Sequence, residues 1–227
     1  MEWQQDPHAG LPFEQWKQTK QLQQPADPFT VRRVSPERIE HVTVYTSTVD
    51  KAQDGERHPA FTPPDARFTG FFRSATAGAV LDGEWDQPAV PFDEYVPYVS
   101  LRRHFQNGVD WADTEYYRAI VACITDGAPL WGCETEAEFR ERCADLDTLY
   151  DRIDSEGYRP ASELRDGKLQ YDEIAVNVGR DGRLLFNDGK HRLAIARLLG
   201  VDAVPVRVIV RHQDWVAQAD DAVFPGR

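Results

Sequence analysis

Asn187, Asp188, Gly189, Lys190, His191 and Arg192 stand consecutively between a run that reads as a strand and one that reads as a helix. A strand-to-helix junction gathers main-chain N–H groups at the positive end of the helix dipole, which is an anion site and above all a phosphate site. Gly189 lets the backbone approach a ligand closely. Arg192 can fork two hydrogen bonds to phosphate oxygens, and Asn187, Lys190 and His191 add donors. Asp188 is a candidate Mg²⁺ ligand and a candidate catalytic carboxylate. Asp188 could instead be a plain helix cap and the three cations a solvated first turn. Against that, cations oppose the dipole at a helix start, and here three come together. The stretch is not a Walker A loop: six residues separate Gly182 from Gly189, and His191 stands where Ser or Thr is required.

The elements that must position this turn are legible around it. Ile174 to Val178 reads as a strand, Gly179-Arg180-Asp181-Gly182 as a turn, and Arg183 to Phe186 as the returning strand. A helix follows from about Lys190 to Leu199 with Leu193, Ala194, Ile195, Ala196 and Leu198 on its apolar side, and Gly200 stops it. Val204 to Val210 is a further strand. Upstream, Thr135 to Ser155 has apolar residues at helical spacing (Leu146, Leu149, Tyr150, Ile153), and Gly157 ends it. Phe29 to Val49 suggests two strands, FTVRRV and HVTVYTST, divided by Ser35-Pro36-Glu37.

Residues 51–135 are expected to be a mostly helical, aromatic-rich insertion, with helices near 92–107 and 113–125 and openings at Thr114 and Thr135. Its Trp and Tyr residues are expected to form its core rather than to line a cleft. Residues 1–28 read as an N-terminal extension with a short helix over Pro12 to Gln24, and residues 56–64 as a loop. Residues 29–50 hold the first strands of the core, residues 136–212 the rest of it with the turn, and residues 213–227 a tail.

Composition narrows the classes. The chain has 227 residues, 26 Lys and Arg against 38 Asp and Glu, and a formal net charge of -12. A global basic footprint for nucleic acid is absent. Arg outnumbers Lys, and this acidic composition resembles that of halophilic archaeal proteins. Cys123, Cys133 and Cys143 are spaced ten apart, which is no zinc framework, and their sparse, odd number fits a reducing compartment. His8, His41, His58 and His104 have no ligand spacing. No apolar run reaches the roughly 20 residues of a membrane span. MEWQQDPHAG lacks the features of a secretory signal, so a cytoplasmic location without membrane contact is expected.

The string LLFNDGKHRLAIARLLGVDAVPVRVIV resembles the phosphate-binding motif of the ParB/sulfiredoxin-like superfamily. There a strand leads into Gly-x-[His/Arg]-Arg at a helix start, followed by a helix-to-strand exit. LYDRIDSEGYRP and FTVRRVSPERI resemble that family's preceding helix and first strand. The resemblance covers about residues 140–212 and 29–40. It implies an α+β fold with a small mixed sheet, and binding of ATP, ADP or CTP with Mg²⁺. Lys190 replaces the sulfiredoxin nucleophilic Cys, so sulfinate reduction is not expected. The chain lacks a following helix-turn-helix, so a partition clamp is not expected. Free-serine kinases of the superfamily use the same pocket with an acid near the first strand, for which Glu37 is the nearest candidate. Three readings stay open: a phosphotransferase acting on a small hydroxyl compound, a non-catalytic nucleotide sensor, and a ParB-like DNA-binding protein or nuclease. The last is disfavoured by the net charge, although Arg207, Arg211 and His212 follow closely.

Overall fold

The computed structural model describes residues 27–43, 77–87, 90–127, 133–164 and 173–218. The expected helix over Pro12 to Gln24, most of HVTVYTST, the loop at 56–64, Trp131 and the end of the tail lie outside these residues. The fold is α+β. Seven strands among the described residues form one mixed sheet: β1 (Val31–Val34), β2 (His41–Val42), β3 (Val80–Leu81), β4 (Val90–Pro91), β5 (Ile174–Val178), β6 (Leu184–Asp188) and β7 (Val204–His212). Their order across the sheet is β1-β7-β5-β6-β2-β4, and β3 joins β7. The helices are α1 (Val96–Asn107), α2 (Glu115–Thr125), α3 (Glu136–Glu156), α4 (Ala161–Leu164), α5 (Lys190–Leu198) and α6 (Gln213–Ala217). No described helix is long and apolar enough to cross a membrane.

The sheet is built on β7. Nearly every residue of VPVRVIVRH is buried, so β7 is covered on both faces and its apolar run is nearly continuous. It pairs antiparallel with β1 and parallel with β5, and β5 and β6 form the antiparallel hairpin that the Asp181-Gly182 turn implies. Gly182 takes φ 83 there, and the Gly179 N–H donates to Arg183 O at 3.0 Å. On one face Ile174, Val176, Val178, Leu184, Phe186, Val204, Val206 and Val208 pack under the helices. On the other face Ala175, Leu185, Ile209 and Val210 meet Trp85, Ala77, Phe29 and Leu81. Ile209 and Val210 are adjacent yet share that face, because the β5–β7 register shifts between Val176 and Val178.

The second face carries a chain of buried amides. Thr43, Asn177 and Asn187 are 2%, 0% and 1% exposed. Asn187 Nδ2 donates to Asn177 Oδ1 at 3.1 Å, Asn177 Nδ2 donates to Thr43 Oγ1 at 3.0 Å, and the Val210 N–H donates to Asn177 Oδ1 at 3.2 Å. The chain satisfies side-chain amides that burial would otherwise leave costly.

Several helix ends fall on the expected residues, although α1 begins at Val96 rather than near residue 92 and α6 lies where a tail is expected. Thr114 caps α2 by accepting the Tyr117 N–H. Thr135 and Glu138 form a reciprocal capping box at α3, and Gly157 closes that helix. The aromatic residues of this layer are core, as expected: Phe92, Tyr116 and Phe139 are almost fully buried. Phe105 stacks on Tyr150 with centroids 4.1 Å apart. His104 stacks on Trp111 at 4.2 Å, and both ring systems reach Asp147 Oδ1, at 3.0 Å and 2.9 Å. Residues 51–135 are not helical throughout, because they also supply β3 and β4. Two-residue strands are too short to show a period of 2.

The loop between β3 and β4 is fastened to the β5–β6 hairpin. Arg180 Nη2 donates to Asp86 Oδ1 at 2.7 Å, Arg180 Nε donates to Asp86 Oδ2 at 3.0 Å, and the Arg180 main-chain N–H donates to Asp86 Oδ2 at 2.9 Å. The Asp86 side chain is 0% exposed and that of Arg180 is 27% exposed. Burial alone would raise the Asp86 carboxyl, but the Arg180 hydrogen bonds and charge outweigh it and hold it below the usual aspartate value. A depressed folded-state value adds stability above the unfolded-state value, and that stability is lost as pH falls through the folded-state value. Asp86→Asn should therefore lower stability by about 2 kcal/mol near neutral pH. Thermal melts of the variant should lose less stability than wild type on acidification below the ordinary aspartate range. Parallel losses for the two proteins would contradict this account.

Candidate functional site

β6 ends at Asp188, and the chain turns into α5 at Gly189, with φ 88 and ψ 31. That left-handed conformation favours glycine. Space imposes a second demand. A Cβ at Gly189 would lie 3.1 Å from Ile174 Cα and 3.3 Å from Ile174 Cγ1. The turn is thus pressed against the start of β5. On the other side α5 is anchored by Leu193, Ala194, Ile195 and Ala196, all buried, and burial contributes about 1.5–3 kcal/mol for each of Leu193 and Ile195.

The opening of α5 fits an anion. Its cap residue is a glycine and offers no side-chain acceptor to the amides of the first turn, and that turn contains no acidic residue. α-Helix geometry leaves these opening N–H groups without intrahelical acceptors. The Asp188 Oδ1 accepts the N–H of Gly189, the next residue, at 2.7 Å.

The six residues expected here do not all face one point. Asn187 belongs to the buried amide chain of the second face and is 1% exposed, so its side chain lies within the sheet. His191 reaches into the helical layer, where Nε2 shares a 2.7 Å hydrogen bond with Tyr116 Oη. Burial, with the charges of Lys190 and Arg142, pushes the imidazole well below its usual value, so it is neutral at pH 7. The positive charge of the first turn therefore comes from Lys190 and Arg192.

Arg192 leads to residues that sequence reasoning missed. Its Nη1 lies 3.7 Å from Glu173 Oε2, too far for a good hydrogen bond but close enough for charge attraction. The Glu173 side chain is 2% exposed, and its Oε1 accepts the Ala161 N–H at 2.7 Å. Tyr158 stands beside this pair. Burial pushes its hydroxyl up to about 12, with the Arg192 charge opposing. The signal in the sequence was an acid directly before the apolar strand IAVNV, at a place where a solvated loop end was the simpler reading.

Glu37 is elsewhere. It pairs with Arg197 Nη2 at 3.0 Å, and Asp93 meets the same nitrogen at 3.1 Å. Arg197 lies seven residues after Lys190, about 10 Å along the helix axis. Its guanidinium sits 5.2 Å from the centroids of both the Phe92 and Tyr98 rings, which makes it a structural bolt between α5 and its neighbours. Glu37 and Asp188 are thus at opposite ends of α5. The Arg-rich exit of β7 is also turned inward: Arg207 Nε donates to Pro28 O at 2.9 Å, and His212 Nε2 bonds Gly83 O at 2.9 Å. Among the described residues no group of three His, Cys, Asp or Glu side chains gathers to hold a metal. A Mg²⁺ shared with substrate phosphates needs only one or two carboxylates, and Asp188 is the one at the turn.

Gly189→Ala should destabilise the fold by about 1–3 kcal/mol, from the left-handed backbone and the contact with Ile174 together. Denaturant unfolding measures it, and a loss below about 0.5 kcal/mol would contradict the close approach. The chain matches no family model, no curated protein and no solved structure, so the geometry of the turn carries the functional reading.

Proposed function

We propose that the chain binds the phosphates of a nucleotide at residues 188–192. One observation carries the reading: a nine-residue helix opens on a positive-φ glycine, with no side-chain cap and no first-turn acid, while Lys190 and Arg192 stand in that turn. An anion offsets both the dipole and the cations. In this reading the amides from Gly189 onward cradle a phosphate, Arg192 forks to its oxygens, and Glu173 holds the guanidinium from behind. ATP, ADP or CTP is the ligand, with Asp188 contributing to a shared Mg²⁺. Transfer of a phosphoryl group to a small hydroxyl compound is the catalytic extension of the proposal, and Asp188 would orient that hydroxyl. The distance between Glu37 and the turn favours Asp188 over Glu37 for that role. The buried state of Arg207 and His212 favours a nucleotide over a nucleic acid.

Thermal unfolding in high salt tests the proposal, with Mg²⁺ and ATP, ADP, CTP or inorganic phosphate. A ligand at 100 times its Kd should stabilise wild type by about 2.7 kcal/mol. Arg192→Ala should lose most of that ligand-dependent gain, and Arg192→Lys, which keeps a charge beside Glu173, should retain part of it. Failure of every ligand to stabilise wild type would overturn the reading. Release of ADP in the presence of an acceptor marks a transferase, and tight binding without turnover marks a sensor.

A further inference from the structure

We infer that Tyr116 is a positioning residue for the anion-binding turn: its hydroxyl, bonded to His191, holds the first turn of α5 in the geometry that receives phosphate. The inference rests on the phosphate reading of that turn. His191 is the second residue of α5, so its main-chain amide lies between those of Lys190 and Arg192. Any rotation of the first turn moves its imidazole and stretches the 2.7 Å bond to Tyr116 Oη.

Tyr116 is well fixed to resist that movement. It is 0% exposed. Its main-chain N–H donates to Ser100 Oγ of α1 at 3.1 Å. Its ring stands edge-on to Phe139 of α3 at 6.1 Å and edge-on to the His191 ring at 5.8 Å. The position of the hydroxyl is therefore set by two helices that do not belong to the turn. Burial pushes the Tyr116 hydroxyl well above its usual value and the His191 imidazole well below its own. Both partners are thus neutral at pH 7, and the bond joins two groups that water cannot easily serve if they part. The helical layer and the turn are coupled through this contact, and coupling of this kind acts on ligand affinity.

Tyr116→Phe removes the hydroxyl and keeps the ring. Asp86→Asn removes a buried polar contact at the far end of the β5–β6 hairpin, where Arg180 holds it, and serves as the control for general loosening. Binding of inorganic phosphate and of Mg²⁺-ATP by calorimetry, and hydrogen exchange of the His191 and Arg192 amides by NMR, are read on both variants. Tyr116→Phe should weaken binding about tenfold and speed exchange at those amides, while Asp86→Asn stays within about twofold of wild type on both counts. His191→Gln, whose amide can still meet the hydroxyl, should recover most of the affinity that His191→Ala loses. Equal weakening by Tyr116→Phe and Asp86→Asn would mean general loosening and would overturn the inference. Unchanged amide exchange in Tyr116→Phe would overturn it too. If wild type binds neither probe, the phosphate reading fails by itself, and the exchange data still decide whether Tyr116 holds the turn.

Discussion

The close approach of Gly189 to Ile174 is the constraint on which the rest of this structure depends. An added Cβ would lie 3.1 Å from Ile174 Cα, so tight that the neighbour must give, and the chain passes through a conformation that side chains resist. That contact fixes the direction in which α5 leaves the sheet. α5 then determines where β7 can enter beside β5, and β7 is the strand that both faces of the core enclose. A position that favours glycine thus lies on the path of the most buried part of the fold. The same absence of a side chain means that residue 189 offers no side-chain cap to the opening amides of α5.

Specific polar contacts join elements within the helical layer, and one fastens the β3–β4 loop to the sheet. Arg197 lies between two aromatic rings with carboxylates at its edge, Arg180 clasps Asp86, and Tyr116 meets His191. Each links elements far apart in sequence. The Arg197 side chain is 7% exposed and that of Asp86 is 0% exposed, so salt screens these two charges less than it screens fully exposed ones. In a chain of net charge -12, cations placed inside the fold offset acidic surface repulsion without making the outside less acidic.

Much of the fold around the turn was legible in the sequence. The hairpin Ile174 to Phe186, the helix from Lys190, the final strand and the caps at Thr114 and Thr135 follow local rules of period, turn chemistry and capping, and the structure has them within a residue or two. β3 and β4 were not legible, because a two-residue strand exists only through its long-range partner. The candidate site was legible as a stretch but not as a set of directions. Asn187 alternates with Leu185 and so shares its inward face, a consequence of strand period that its polar character masked. Glu37 stood near the first strand, but Arg197, distant in sequence, decides which end of α5 it reaches. Glu173, Tyr158 and Tyr116 enter through pairings that local patterns do not encode.

The amide chain from Asn187 through Asn177 to Thr43 bears on folding fidelity. It crosses three adjacent strands, and a fourth contributes the Val210 N–H. Apolar strands such as IAVNV and VPVRVIVRH tolerate sliding past one another, because one valine replaces another at little loss. A slip of one residue would carry Asn177 to the face under the helices and leave its amide in hydrocarbon. The chain therefore acts as a check on alignment: hydrophobic burial drives the strands together, and the amides reject all but one of the ways they can meet.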